Sequence, residues 1–508
     1  MAVFGSLPLE FRPKAQEAQG PLLCTARSVC NVWMLHPQSP RPQGFACFAC
    51  AAFAACAAVV VVASGGCPQQ PAALPPAVAV PHALPAPVVN AGVAFVHDDV
   101  AGAFATAKAT GKVVFVDGWA PWCHTCLSMQ RDVLQDPALG GFADRVVFAA
   151  VDTDRPESSS FVARFPLRVW PSFFVIDPVT EQVLALHGGS LSLPELRAFL
   201  DEALLTRDPK RASDPQVKAV LAGHQASNSK DYAAAAAFYV AAAALDGPRR
   251  DEAIIGAMRS LSAAHDDDGC LSFGLASLRS LRTSSSSSDL VGYVQSCAEH
   301  LAEHDPRKAV AYTAARARLD ELVHTPPAGA SVDDRADTLA MLADIALAQA
   351  DPAAHHAAHV KRLALLEDDA NRQSNVDDAR VHDYARMNSY FALERGAEAV
   401  TLLGLRSVQL PTSYEAWARL ASALHKLQRE DEAKTAVIKA IELSYGPRRL
   451  RYRTLLADIE AARPRSAESA AAEKQAVKNL IDDADKMPPG QRDAEVVAAA
   501  HKRFAALP

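Results

Sequence analysis

Two cysteines separated by two residues are the best candidates for chemistry in this sequence of 508 residues. Cys123 and Cys126 lie in the segment W-C-H-T-C, which follows an apolar run typical of a buried strand and opens a run typical of a helix. Exposed backbone N–H groups and the dipole at a helix N-terminus favour an anion, so we expect Cys123 to form the thiolate that attacks disulfides. Cys126 lies on the same side of the first helical turn and can close a disulfide with Cys123.

The polar residues around the cysteine pair each allow two interpretations. Asp117 is either a buried, hydrogen-bonded carboxyl group or a base for Cys126, because burial raises the pKa of a carboxyl group. His124 is either exposed and without effect or, when protonated, a second group that favours the Cys123 thiolate. Adjacent side chains cannot converge on one metal ion without further ligands, so we predict a redox-active disulfide and neither a metal nor another cofactor.

Strands and helices alternate around the cysteine pair. Apolar runs predict strands at Lys112–Asp117, Val146–Val151 and Ser172–Ile176, and helical patterns predict helices at Val100–Thr110, Ser158–Phe165 and Leu193–Leu204. This order is typical of an α/β layer fold, which we place at residues 91–206.

The segment V-D-G-W-A-P-W-C-H-T-C resembles the active-site segment of the thioredoxin family. The matching residues are an aspartate six positions before the first cysteine, two tryptophans and an alanine, namely Asp117, Trp119, Trp122 and Ala120. Val169-Trp170-Pro171-Ser172 stands where that family has its cis-proline, and Gly188-Gly189 stands near its late glycine. The resemblance covers only the α/β domain and looks closest to the thioredoxin-like domains of bacterial envelope thiol reductases.

The resemblance implies a thioredoxin-like fold and the exchange of thiols and disulfides. In this interpretation Cys123 attacks the substrate, and Cys126 resolves the mixed disulfide with help from Asp117. A cis peptide bond before Pro171 would lay backbone alongside the substrate. The alternative for Pro171 is an ordinary proline at a strand edge.

A docking surface and a redox direction also follow from the resemblance. Trp122, His124 and Trp170 are expected to contact substrate, although Trp122 alone is also compatible with a packing role. The dipeptide His124-Thr125 replaces the Gly-Pro that is common in the family. Because this dipeptide tunes the redox potential, the direction of electron flow stays open, and the likeness to reducing domains favours a reductase or isomerase.

The first ninety residues are expected to carry an export signal and a tether. Residues 44–63 form an uncharged run long enough for a helix to cross a bilayer core, and Ser64-Gly65-Gly66-Cys67 after it resembles the lipobox of bacterial lipoproteins. We expect lipidation of Cys67, with an uncleaved membrane anchor or a buried core helix as alternatives. The assignments are a misplaced start or disordered segment at 1–33, a signal peptide or anchor at 34–66, and a proline- and alanine-rich tether at 67–90.

Residues 212–460 are predicted to form helical repeats, and 461–508 a helical or flexible tail. The large and small residues Trp417, Leu420, Ala421, Leu424, Ala433, Val437 and Ala440 reproduce the spacing of the 34-residue tetratricopeptide repeat. A generic α-helical domain is the alternative. Repeats of this type would recruit partner proteins.

Two further cysteines lie within this helical region. Cys270 and Cys297 belong to neighbouring predicted helices, so in an oxidising envelope they would form a structural disulfide, with buried free thiols as the alternative. The run Ser284–Ser288 between them is predicted to be a flexible loop.

The charge balance excludes a protein that binds nucleic acid through a basic surface. Lysine and arginine number 51 against 58 aspartates and glutamates, a net charge of −7. We therefore expect a membrane-attached thiol–disulfide oxidoreductase facing the periplasm, with a redox partner and with protein substrates that bear thiols or disulfides. The alternative is a membrane-attached repeat scaffold whose thioredoxin-like domain only docks partners, but docking alone would not need both cysteines.

Overall fold

One mixed sheet organises the first part of the chain that the structure describes. The computed structural model describes residues 92–507, so the expectations for residues 1–90, lipidation of Cys67 among them, lie outside the described residues. The strands are β1 (Phe95–His97), β2 (Val113–Trp119), β3 (Val146–Asp152), β4 (Ser172–Ile176) and β5 (Val183–Gly188). Their order is β1-β3-β2-β4-β5, and the central strand β2 is parallel to β3 and antiparallel to β4.

Helices cover both faces of this sheet and confirm the predicted α/β fold. They are α1 (Val100–Thr110), α2 (His124–Asp132), α3 (Ser159–Arg164) and α4 (Leu193–Leu205). Helix α1 ends at Gly111, whose φ of 70° is the left-handed conformation that favours glycine at a helix C-terminus. Because both faces are covered, β2 is buried from Val113 to Gly118 and is an almost unbroken apolar run. It leads directly into the cysteine pair.

The rest of the described chain is helical, which confirms the predicted all-α repeat region. Its helices are α5 (Pro209–Ala212), α6 (Pro215–Asn228), α7 (Tyr232–Ala243), α8 (Arg250–Ala263), α9 (Asp267–Ser277), α10 (Ser286–His300), α11 (Pro306–His324), α12 (Val332–Ala348), α13 (Pro352–Arg372), α14 (Val376–Ala379), α15 (Asp383–Ala392), α16 (Gly396–Gln409), α17 (Tyr414–Lys426), α18 (Glu430–Leu443), α19 (Gly446–Ala462), α20 (Ala467–Asp485) and α21 (Ala494–Ala506). Consecutive helices pack against one another. None of these described helices is both long and apolar enough to span a membrane.

Small residues allow the repeat helices to approach closely. The buried ring of Tyr239 lies between Gly223 and Gly256, where an added Cβ would come within 2.7 Å and 2.8 Å of the ring. In the later repeats, the predicted small positions Ala421 and Ala433 are fully buried in one apolar core. This alternation of small and large residues is what the repeat spacing predicted.

The prediction of a flexible serine loop is wrong. Ser285, the second residue of that run, is buried, and its N–H and hydroxyl groups donate hydrogen bonds to Glu195 at 3.1 Å and 2.7 Å. The following serines form the buried first turn of α10. Polar composition predicted exposure, but the carboxylate of Glu195 satisfies these polar groups inside the protein. Cys270 and Cys297, on either side of this turn, form a disulfide between α9 and α10.

Candidate active site

The cysteine pair lies where β2 passes into α2. Cys123 is the N-terminal cap of α2, and the backbone N–H of Cys126 donates a hydrogen bond to its Sγ at 3.1 Å. The two residues form a disulfide with their Cα atoms 5.2 Å apart. An N–H that already points at the sulfur would stabilise negative charge there after reduction. This geometry agrees with the predicted role of Cys123 as the attacking thiolate, which stays a prediction.

Asp117 supplies a buried carboxyl group from the strand that leads to the pair. It lies in β2 and is 1% exposed. Burial raises the pKa of Asp117 to about 7. A carboxyl group with this pKa exchanges protons readily near neutral pH, as a base for a thiol must.

Two tryptophans and a cis-proline border the pair. The peptide bond between Trp170 and Pro171 is cis. The rings of Trp122 and Trp170 have their centroids 5.4 Å apart, so the residue before Cys123 and the residue before Pro171 are in contact. Trp122 also donates a hydrogen bond from Nε1 to Asp154 at 2.8 Å. The structure therefore brings the cysteine loop and the proline loop together as one surface.

His124 does not face solvent, so the interpretation of this residue as exposed is wrong. It is 7% exposed, and its Nδ1 lies 2.8 Å from Oδ1 of Asp333 and 3.9 Å from Oδ2 of Asp337, both on α12 of the repeat region. Burial lowers the pKa of His124, but the charges of the two aspartates outweigh it and hold that pKa above its usual value. The histidine between the cysteines is thus engaged by the repeat region, and its role in substrate docking stays a prediction.

The repeat region covers the face of the sheet domain that carries the cysteine pair. The guanidinium group of Arg448 lies over the ring of Trp122 at 4.6 Å. Beside it, Gly446 has a φ of 56°, and an added Cβ would lie 1.9 Å from the carbonyl oxygen of Asp154, so only glycine fits. Two further hydrogen bonds join the regions, from Tyr445 to Asp152 and from Gln491 to the carbonyl oxygen of Thr153. In this arrangement Cys123 is 5% exposed and Cys126 1% exposed.

One group of side chains in the described part of the chain has the spacing of metal ligands. The ligand atoms of His124, Asp333 and Asp337 lie within 4.8 Å of one another. However, Arg362 lies 3.3 Å from Asp337, and His382 lies 3.4 Å from Asp333. These cationic groups offset the carboxylate charges, so we describe the group as an ion-pair network and assign no metal to it.

The predicted site residues within the described part of the chain thus divide into two places. The structure gathers Asp117, Trp122, Cys123, His124, Cys126, Trp170 and Pro171 around one junction. It places Cys270 and Cys297 in the apolar core of the repeat region. Sequence reasoning missed Asp333, Asp337 and Arg448, because nothing in their local pattern links them to a loop more than two hundred residues away.

Comparisons with known proteins agree with this geometry. Residues 96–178 match a protein family described as thioredoxin-like. Protein disulfide-isomerase 1 of Dictyostelium discoideum is 27% identical over 100 residues, which are 19% of this chain and 27% of that protein. The match therefore spans only about a quarter of the length of that relative.

Two solved structures are similar to a larger share of the chain. The TPR2AB domain of yeast Sti1 in its pHSP90 complex is 14% identical and covers 57% of this chain and 98% of its own, with a TM-score of 0.22. The assembly chaperone of RpL4 (Acl4, residues 1–338) is 14% identical and covers 57% and 97%, with a TM-score of 0.26. From the matched family and the observed elements together, the chain contains a thioredoxin-like domain followed by an all-α repeat region.

Proposed function

We propose that this protein is a thiol–disulfide oxidoreductase that works mainly as a reductase or isomerase. One observation carries the proposal: the Cys123–Cys126 disulfide caps a helix directly after a strand that holds Asp117 buried. The thioredoxin-like match and the distant likeness to a protein disulfide-isomerase support a redox function of this type.

The proposed reaction uses only the cysteine pair as its redox group. In the reduced protein, the Cys123 thiolate attacks one sulfur of a substrate disulfide, which forms a mixed disulfide and releases the other substrate sulfur as a thiolate. Cys126 then loses its proton to Asp117 and attacks the Cys123 sulfur, which releases the second substrate thiolate. The substrate gains two electrons, the pair becomes the disulfide, and an external dithiol partner must reduce it again.

Reduction of insulin disulfides by the full chain tests this proposal. We expect the wild-type protein, supplied with dithiothreitol, to precipitate the insulin B chain faster than Cys123→Ser does. Cys270→Ser is the matched control, because it removes a cysteine of the other disulfide and should retain the wild-type rate per folded molecule. A wild-type rate equal to that of Cys123→Ser would contradict the proposed oxidoreductase function.

The substrates and partners that we propose are proteins. The resemblance favours substrates with exposed thiols or disulfides and a separate redox partner, and the repeat region is proposed to recruit clients. These roles are supported by the presence of helical repeats next to the cysteine pair.

We further propose export and membrane attachment at the cell envelope through lipidated Cys67. The support is in the sequence alone, namely the uncharged run at 44–63 and the small residues that follow it. Metabolic labelling with palmitate should be lost in Cys67→Ala. Equal labelling of the two proteins would contradict lipidation of Cys67. An uncleaved membrane anchor would then be the remaining mode of attachment.

A second candidate function is that of a scaffold with a structural thioredoxin-like domain. The near-complete burial of Cys123 and Cys126 beneath the repeat region favours it, because a buried disulfide is poorly accessible to a folded substrate. The two candidates differ in their reaction with a small linear disulfide such as oxidised glutathione. The enzyme should exchange with it rapidly when reduced, whereas a scaffold should exchange no faster than free cysteine does.

A further inference from the structure

We propose that Asp333, in the repeat region, is a positioning residue of the redox site, which holds the His124 imidazole beside Cys123 and so gives the repeat region control over the reactivity of this cysteine. The inference deepens the proposed oxidoreductase function and rests on it. In this proposal Asp333 of α12 influences the reactivity of Cys123, the N-terminal cap of α2.

A network of charged side chains in the repeat region contacts α2 at its first residue and again near its end. His124, the first residue of α2, is 2.8 Å from Oδ1 of Asp333. That same oxygen is 3.4 Å from Nδ1 of His382, whose Nε2 is 3.1 Å from Oδ2 of Asp369. Asp369 in turn accepts a hydrogen bond at 2.9 Å from Arg131, two turns further along α2. The helix that carries Cys123 at its cap is therefore held at both ends by the repeat region.

The charges of the network determine the proton content of His124. Facing this imidazole are Asp333 and Asp337 from α12 and Arg362 from α13, and the ring of Tyr384 on α15 stacks against it at 6.3 Å. Within α2 itself, the other charged groups are Arg131 and Asp132, which pair with each other. Beyond Asp333 lie His382 and Asp369.

Asp333 and Asp337 raise the pKa of His124, whereas the charge of Arg362 lowers it. Burial raises the pKa of Asp333, but His124 and His382 outweigh it and hold that pKa well below its usual value, so Asp333 stays ionised. The pKa of His124 is held above its usual value, as described, and that of His382 is raised to about 9 although burial opposes the shift. The network favours the protonated form of His124.

His124 directly follows Cys123 in the chain, so we expect its positive charge to act on the Cys123 sulfur. When the disulfide is reduced, a positive imidazole next to Cys123 favours its thiolate over its thiol. Replacement of Asp333 by asparagine keeps the size of the side chain but removes the nearer of the two carboxylate charges that hold the proton on His124. A larger fraction of the imidazole is then neutral and favours the thiolate less. The expected consequence is a higher pKa of the Cys123 thiol.

The test measures alkylation of Cys123 by iodoacetamide in the reduced full-length protein, resolved by peptide mass spectrometry, from pH 5 to pH 9 with EDTA present. At pH 6 we expect Asp333→Asn and His124→Asn each to slow alkylation about fivefold, the effect of one lost charge near the thiolate. The double variant should be no slower than either single one, because both remove the same interaction. Asp333→Glu keeps the charge and should alkylate at nearly the wild-type rate.

Asp344→Asn is the matched control, since it removes a half-buried carboxyl group from the same helix away from His124. It should leave the alkylation profile unchanged. If Asp333→Asn fails to fold, His124→Asn and Asp333→Glu carry the comparison. An unchanged profile in a folded Asp333→Asn, or an additive double variant, would overturn the proposal. Alkylation reports the thiol itself, so a failure of insulin reduction would not be mistaken for a failure here.

Discussion

The part of the chain that the structure describes contains two disulfides that are almost equally buried and yet belong to different kinds of environment. Cys123 and Cys126 are three residues apart, at a helix N-terminus, with Asp117, His124 and Asp333 nearby. Cys270 and Cys297 are 27 residues apart, in the middle of an apolar core.

Burial does not separate these two pairs. The second pair is 0% and 1% exposed, and the first is hardly more accessible. The difference is in the groups that surround the sulfur atoms. Backbone N–H groups and titratable side chains allow sulfur to carry charge and exchange protons, whereas an apolar core favours the neutral, bonded state. We therefore interpret the first disulfide as reactive and the second as structural.

The largest expected effect concerns stability. Loss of the 27-residue cross-link in the double variant Cys270→Ser/Cys297→Ser should lower the free energy of unfolding by about 3 kcal/mol, because the unfolded chain gains freedom. Urea unfolding followed by circular dichroism measures this, with the Cys123→Ser/Cys126→Ser protein as the control. Equal losses in the two double variants would contradict the division into a structural and a reactive pair.

Replacement of Asp117 should change the reactivity of the Cys123–Cys126 pair and the pH dependence of stability. Asp117→Asn removes the base for Cys126, so insulin reduction at pH 7 should slow by about tenfold or more. The same variant should be more stable than the wild type above pH 7. The raised pKa of Asp117 means that the wild-type protein loses stability as pH rises from about 4 to about 7, where this buried carboxyl group must ionise. Unfolding midpoints between pH 5 and pH 8.5 measure the effect, and a constant difference between the two proteins would refute it.

The smallest effect should come from loosening the cover over the reactive pair. Arg448→Ala removes the cation that lies over Trp122, an interaction worth about 1 kcal/mol. Reduction of Cys123–Cys126 by a phosphine should become about two- to fivefold faster, while Cys270–Cys297 should react as before. A uniform acceleration of both disulfides would mean that the substitution had loosened the whole protein.

The contrast between the two pairs also shows what the sequence could predict. Asp117, Cys123, Cys126 and Pro171 lie in local segments whose spacing is itself informative, and the strands and helices around them followed from apolar periodicity. The partner of His124 could not be predicted, because Asp333 is 209 residues away and its own helix shows only ordinary repeat spacing. The prediction for the serine run was wrong for a related reason, since the burial of Ser285 depends on Glu195 from a different domain.

The most direct test of the account is the trapping of a mixed disulfide. Full-length Cys126→Ser and Cys123→Ser, each reduced and then mixed with insulin, are compared on non-reducing gels, and the linked peptides are identified by mass spectrometry. Because Cys123 caps α2 and receives the N–H of residue 126, we expect Cys126→Ser to accumulate a stable adduct through Cys123 and Cys123→Ser to accumulate little. Equal trapping by both variants, or stronger trapping through Cys126, would contradict the assignment of Cys123 as nucleophile and Cys126 as resolving cysteine.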